Sequence, residues 1–171
     1  MIRRDCLRFS TITALGTAFL QGTAFAQQVS IKEQLVGTWK VAMCEVVAPD
    51  GTKSPLVEGN NPAGQYIFTS DSYFSFQVAA EFPHFASNDF TKTTPEEDRA
   101  VVRGSIAYYG TYTVNDAEKT ITVHIERSSF PNLNGTGGKR ILTLLSAGEM
   151  KYINPGRRGG GSINCAYKRA K

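Results

Sequence analysis

Two alternating runs joined by a short polar turn constrain this chain more than any other stretch. From Ile106 to Val114 (IAYYGTYTV) aromatic and β-branched residues dominate, which suits a pleated, half-buried surface. Asn115 to Lys119 (NDAEK) supplies turn-forming side chains. From Thr120 to Glu126, Ile121, Val123 and Ile125 fall on one face, and Thr120, Thr122, His124 and Glu126 on the other. A period of two sends neighbouring side chains to opposite faces, so the segment predicts an antiparallel hairpin with one dry face.

The same signals recur on both sides of it. A first strand runs through Trp39, Val41 and Met43, which share one parity and are assigned to the core. Pro49-Asp50-Gly51-Thr52 marks a turn, Lys53 to Val57 a short strand, and Glu58 to Gly64 a loop. Gln65–Thr69 and Tyr73–Ala79 form a second hairpin over Ser70-Asp71-Ser72. Its rings at Tyr66, Phe68, Phe74 and Phe76 either fill a core or wall a cavity, and alternation does not separate the two. Lys139–Leu145, Glu149–Asn154 and Ser162–Lys168 complete about eight short strands. Two helical pieces interrupt them. Ser30 to Gln34 predicts a helical turn plugging one end. Thr94, with Pro95 behind it and glutamates in the first turn, predicts a capped helix ending near Gly104. The insertion from Glu81 to Gly104 is expected to sit over the open end as a lid, with Phe82, Phe85 and Phe90 able to close it, or to serve only as packing.

Three separated segments carry a family resemblance. They are Leu35–Val41 (LVGTWKV), Phe85–Val101 (FASNDFTKTTPEEDRAV), and the central hairpin with its extension through Phe130-Pro131-Asn132 to Thr136. In this order they resemble the bacterial lipocalin-like domain family, from about Leu35 to the C-terminus. The resemblance implies an all-β fold: a single antiparallel, up-and-down β-barrel of about eight strands with a short helix or lid insertion and an internal cavity. It implies no settled activity. Within it, Gly37 and Trp39 match the Gly-x-Trp of the first strand, a structural pair that lays a large ring across the barrel floor, with glycine relieving backbone crowding. Leu133-Asn134 stand where the family often has Trp and Val.

The N-terminus points to export. Arg3, Arg4 and Arg8 precede a mostly apolar, small-residue run from Phe9 to Phe25, and Ala24-Phe25-Ala26 fits a small-x-small cleavage pattern. Residues 1–26 are therefore expected to be a secretory signal peptide and 27–171 the barrel domain, placed in the periplasm or secreted. Arg3-Arg4-Asp5-Cys6-Leu7-Arg8 resembles a twin-arginine signal, with Cys6 where a large apolar residue is usual; an ordinary export signal carrying two arginines is the alternative. No stable membrane span is expected after its removal. Two cysteines then remain, Cys44 in the first strand and Cys165 in the last. In an oxidising compartment an even pair suggests a disulfide, and closure of the sheet would make these strands neighbours; two buried free thiols facing different ways is the other reading.

Catalytic signatures are missing. There is no Gly-x-Ser-x-Gly elbow, and Gly135-Thr136-Gly137-Gly138-Lys139 places Arg140 where a phosphate loop needs Ser or Thr. The two histidines, His84 and His124, lie far apart without ligand spacing, so neither metal nor cofactor is expected. A formal net charge of +4, lowered by loss of the leader, gives no argument for nucleic acid. The polar candidates are His124, Glu126 and Arg140. If their face points inward they anchor a ligand, with Tyr66, Phe76, Tyr108 and Tyr112 as aromatic contacts. If Ile121, Val123 and Ile125 face the core, His124 and Glu126 face water, and alternation favours this arrangement. The expected partner is a small hydrophobic or amphipathic molecule bound without catalysis. The alternatives are an isomerase or cyclase using a His–Glu pair in the same cavity, or a filled barrel acting through a protein-binding surface.

Overall fold

The structure is a computed structural model that describes residues 29–156 and 159–171. The signal-peptide and twin-arginine readings, and the Arg157-Arg158 pair, lie outside the described residues. Nine antiparallel strands form one sheet: β1 (Gly37–Val47), β2 (Lys53–Pro55), β3 (Asn60–Phe68), β4 (Tyr73–Glu81), β5 (Ser105–Asn115), β6 (Thr120–Ser128), β7 (Gly137–Leu145), β8 (Glu149–Asn154) and β9 (Ser162–Arg169). Neighbours in the sheet follow chain order from β3 to β9, and β1 pairs with both β3 and β9. Eight strands therefore close into an up-and-down barrel, and β2 adds to the far half of β1 through Glu45–Val47. Closure pairs every edge of those eight strands over part of its length, and an eight-stranded barrel is just wide enough for side chains or one small ligand.

One end is plugged. Helix α1 (Ile31–Leu35) begins with a capping box in which the Ser30 hydroxyl accepts from the Glu33 amide and the Glu33 carboxylate accepts from the Ser30 amide. It reaches the hairpin turns of this end: the Ile31 amide donates to Asp116 Oδ1 at 2.8 Å and Lys32 Nζ to Ser72 Oγ at 2.7 Å. Leu35 and Trp39 are fully buried beneath it, and the Trp39 indole donates to the Leu35 carbonyl at 2.8 Å. Arg169, the last residue of β9, lies over the Trp39 ring at 4.1 Å. Its guanidinium also donates to the carbonyls of Val36, Gln34 and Ala147. Gly37 leaves room for this arginine: its φ is +128°, and a Cβ there would stand 2.8 Å from Arg169 Nη1.

The long seam between β1 and β9 contains a bulge. Val41 pairs with Tyr167 and Met43 with Ala166, so Ala42 is left over. The extra residue reverses the phase of β1. Trp39 and Val41 face inward as expected, but Met43 is turned out and 44% exposed, which corrects its assignment to the core. The same reversal brings Cys44 directly opposite Cys165, where the two form a disulfide with Cα atoms 4.2 Å apart. The second correction is at β3, which starts at Asn60 inside the stretch expected to be loop. Pairing with β4 shifts between Asn60 and Ala63, and Asn61 takes φ of +45°, so Asn61-Pro62 breaks the alternation without ending the strand. Similarly, β7 takes in Gly137 and Gly138.

The core occupies the plugged half. Tyr66, Phe68, Phe74 and Phe76 point inward, with Ile121, Val123, Met150 and Tyr167 around them. Tyr66 stacks on Phe68 at 4.2 Å and meets Phe74, Phe76 and Tyr167 at angles. The disulfide joins residues 121 apart in sequence across the closure. Replacing both cysteines by serine is expected to lower unfolding free energy by about 2–5 kcal/mol in urea titrations. Reductant should produce the same fall in the native protein and none in the variant. Equal midpoints for native and variant proteins would show that the closure does not need the bridge.

Candidate functional site

The opposite half of the barrel is hollow. A cavity of about 420 Å³ opens between the β6–β7 loop, the β8–β9 loop and the segment after β2. Its walls are apolar side chains from five strands and two connections: Phe76 of β4, Ile106 and Tyr108 of β5, Ile125 of β6, Tyr152 of β8, Ile163 and Cys165 of β9, with Leu56, Phe130 and Leu133 nearer the rim. Arg140 of β7 is the charged side chain among them.

Arg140 faces inward because β7 alternates as its sequence suggests, with Arg140 and Leu142 buried and Lys139 and Ile141 out. It is 5% exposed. Among the described residues no carboxylate lies within 4.0 Å of it. Its Nη1 donates to the Lys139 carbonyl over a long 3.4 Å, and Nε has no hydrogen-bond partner among the described residues. The guanidinium carbon stands 5.9 Å from the Tyr152 ring centre, and the Tyr108 phenol lies close beside the guanidinium. Burial opposes the charge, while the oxygens of Tyr108, Tyr152 and Tyr66 favour it and prevail, so Arg140 stays protonated. Burial pushes the phenols of Tyr66, Tyr108 and Tyr167 up, so these three stay neutral. Nothing described in the protein neutralises the arginine.

Of the expected ligand contacts, the structure brings Arg140, Phe76 and Tyr108 together on the cavity wall. Tyr66 is fully buried and packs against Phe76 and Tyr152, with centroids at 5.3 and 6.4 Å; it supports the wall rather than lining it, and its hydroxyl has no hydrogen-bond partner among the described residues. Tyr112 is also withdrawn, its hydroxyl donating to the Thr69 carbonyl at 2.8 Å near the plugged end. His124 and Glu126 are corrected as cavity residues. His124 is exposed on the outer face, paired with Thr111, while Ile121, Val123 and Ile125 take the inner face. Glu126 is the unpaired residue of a bulge, since Gly110 pairs with Ile125 and Tyr109 with Arg127. Gly110 permits this: a Cβ there would come 1.9 Å from the His124 carbonyl oxygen. A His–Glu proton-transfer pair inside the cavity is therefore absent.

Sequence reading missed Ile106 and Ile163, although each extends the inward parity of its strand, with Tyr108 and with Cys165 respectively. Phe130 and Leu133 come from the turn-rich loop, where a 3-10 turn at Pro131–Leu133 folds back on β6 through the Ile125 amide, which donates to the Thr136 carbonyl at 2.7 Å. Phe130 remains 51% exposed at the rim.

Of the two roles open to the insertion before β5, it takes the packing one. Helix α2 (Pro95–Gly104) forms with its Thr94 cap, and its last turn is held by the Glu58 amide donating to the Arg103 carbonyl and by an Arg103–Glu58 ion pair at 3.5 Å. Phe82 packs against Gly104, Phe85 is half-buried and Phe90 is 88% exposed; none of the three lines the cavity. The insertion packs beside the rim, and Leu56, Phe130 and Leu133 border the opening instead. Glu97 ties it together, accepting from the Thr94 and Ala86 amides at 2.8 and 2.9 Å. These two bonds, Thr94 first, lower its pKa below 4.5. A depressed carboxylate stabilises the folded insertion above its ordinary pKa and loses that effect as pH falls through the folded value. Amide-exchange protection at Ala86 and Thr94 is expected to drop on acidification below pH 4.5. Glu97→Gln should remove the pH dependence. Protection that persists through that acid range would contradict the bonding.

Among the described residues no group of three His, Cys, Asp or Glu side chains could hold a metal ion, and no helix is long and apolar enough to cross a membrane. The family model for the lipocalin-like domain matches residues 36–158. No curated protein matches. Similar solved structures include two that follow. A lipocalin-like protein from Bacteroides uniformis is 12% identical, with a TM-score of 0.44, covering 80% of this chain and 99% of its own. A de novo designed fluorescence-activating β-barrel is also 12% identical, with a TM-score of 0.43, covering 83% of this chain and 99% of its own.

Proposed function

The chain belongs to the lipocalin-like domain family, and from that premise we propose that it is an exported barrel that holds one small amphipathic molecule in its cavity without transforming it. The observation that carries this reading is the cavity itself: about 420 Å³, walled by aromatic and aliphatic side chains around one arginine. Sites for small molecules are typically concave, mostly apolar, a few hundred Å³ in volume, and fixed by very few polar groups. A hollow upper half counts against a filled barrel acting only through its surface. The outward position of His124 takes the acid–base pair away from an isomerase or cyclase. Export is supported by the arginine-led, small-residue N-terminus and by a disulfide, which suits an oxidising compartment.

Nile red, a neutral apolar dye, serves as a probe of the cavity. It is expected to bind the barrel with one site and rising fluorescence. Ile163→Trp, which places a larger side chain in the wall, should weaken binding by about tenfold, while His124→Ala on the outer face should leave it unchanged. Loss of binding in the His124 variant with retention in the Ile163 variant would move the site out of the barrel.

A further inference from the structure

We propose that Arg140, with Tyr108 beside it, is a headgroup subsite that selects apolar ligands carrying a single negative charge, a carboxylate above all. The inference rests on the cavity-binding reading and names the chemistry of its ligand. A buried cation is ordinarily paired, because an uncompensated charge away from water is costly. Among the described residues Arg140 has no such partner, and two polar atoms there, its own Nε and the Tyr66 hydroxyl, have no hydrogen-bond partner. The guanidinium presents donors in a planar fork that matches a carboxylate with two parallel bonds. The neutral Tyr108 phenol adds a further donor at the same place.

Placement sets the direction of entry. Gly137 and Gly138 lie at the rim end of β7, and Arg140 pairs with Ile121 deeper in the barrel. At strand rise the arginine is about 10 Å along β7 from Gly137. The charged end of the ligand therefore goes in first, against Arg140, and the apolar body extends past Ile106 and Ile163 toward Leu133 and Phe130. One internal positive charge balances one negative charge. A phosphate monoester, carrying more than one, would leave excess charge buried, so it is expected to bind less well than a carboxylate of equal chain length.

Displacement of Nile red near pH 7 tests this with three probes of matched tail: decanoate, methyl decanoate and decyl phosphate. The native protein should prefer decanoate to its ester by about tenfold or more, with the phosphate weaker than decanoate. Arg140→Met should still bind Nile red and should bring acid and ester within about threefold of each other. Arg140→Lys, which keeps the charge but not the fork, should restore part of the preference. Equal displacement by acid and ester in the native protein would overturn the headgroup subsite and leave the cavity reading standing. So would an acid preference that survives Arg140→Met. A phosphate preferred over decanoate would overturn the single-charge selectivity. A native protein that does not take up Nile red at all would overturn both readings. The acid–ester comparison in the native protein and the lysine variant decide the matter even if the methionine variant does not fold.

Discussion

Everything inside this barrel depends on the closure of β1 against β9. The sheet would otherwise be an open array with two long unpaired edges. Closure is fastened at two levels. At the plugged end Arg169 covers the Trp39 ring and binds carbonyls from α1, from the residue after it and from the β7–β8 turn, so one side chain ties the last strand to the first strand and to the plug. Further along, the Ala42 bulge rotates β1 until Cys44 faces Cys165. The cavity needs both, because Phe76 and Tyr108 come from one side of the barrel and Arg140, Tyr152 and Cys165 from the side that closure brings round.

The interior then divides along the barrel axis. Near the plug, Tyr66, Phe68, Phe74 and Tyr167 interlock with ring centroids 4.2–5.9 Å apart. Close packing of this kind gives a floor that does not collapse into the space above it. Above it the side chains thin out and a guanidinium is held among neutral phenols. Tyr152 and Tyr167 share their hydroxyls with each other at 2.8 Å, so the polar atoms of the floor are partly satisfied within the floor itself. Arg140 Nε and the Tyr66 hydroxyl have no partner among the described residues. Folding alone gives no reason to keep a cation there, whereas a ligand that supplies the missing charge does.

Much of the fold was legible in the sequence because period-two alternation is a local signal. The central hairpin, the ring-bearing hairpin before it, the Thr94 helix cap and the Gly-x-Trp opening are all read from neighbouring residues, and all stand as expected. What local pattern misses is phase. One surplus residue at Ala42 turned Met43 out and Cys44 in, and another at Glu126 left that side chain without a partner across the sheet. The cavity was less legible still. Phe68 and Phe76 share the parity and chemistry of cavity walls, yet one fills the floor and the other lines the space, since depth along the barrel has no signature in alternation. Arg140 and His124 stood side by side as polar candidates. Strand parity separates them, burying the arginine and exposing the histidine.

The most direct measurement is the unfolding free energy of the unliganded Arg140→Met protein against the native one. A charge retained for a ligand and left uncompensated by the protein should destabilise the unliganded fold, so the methionine variant should be more stable by about 1–4 kcal/mol. A variant less stable than the native protein would mean that Arg140 holds the barrel together, and the account of the cavity as a site built around an unpaired charge would be wrong.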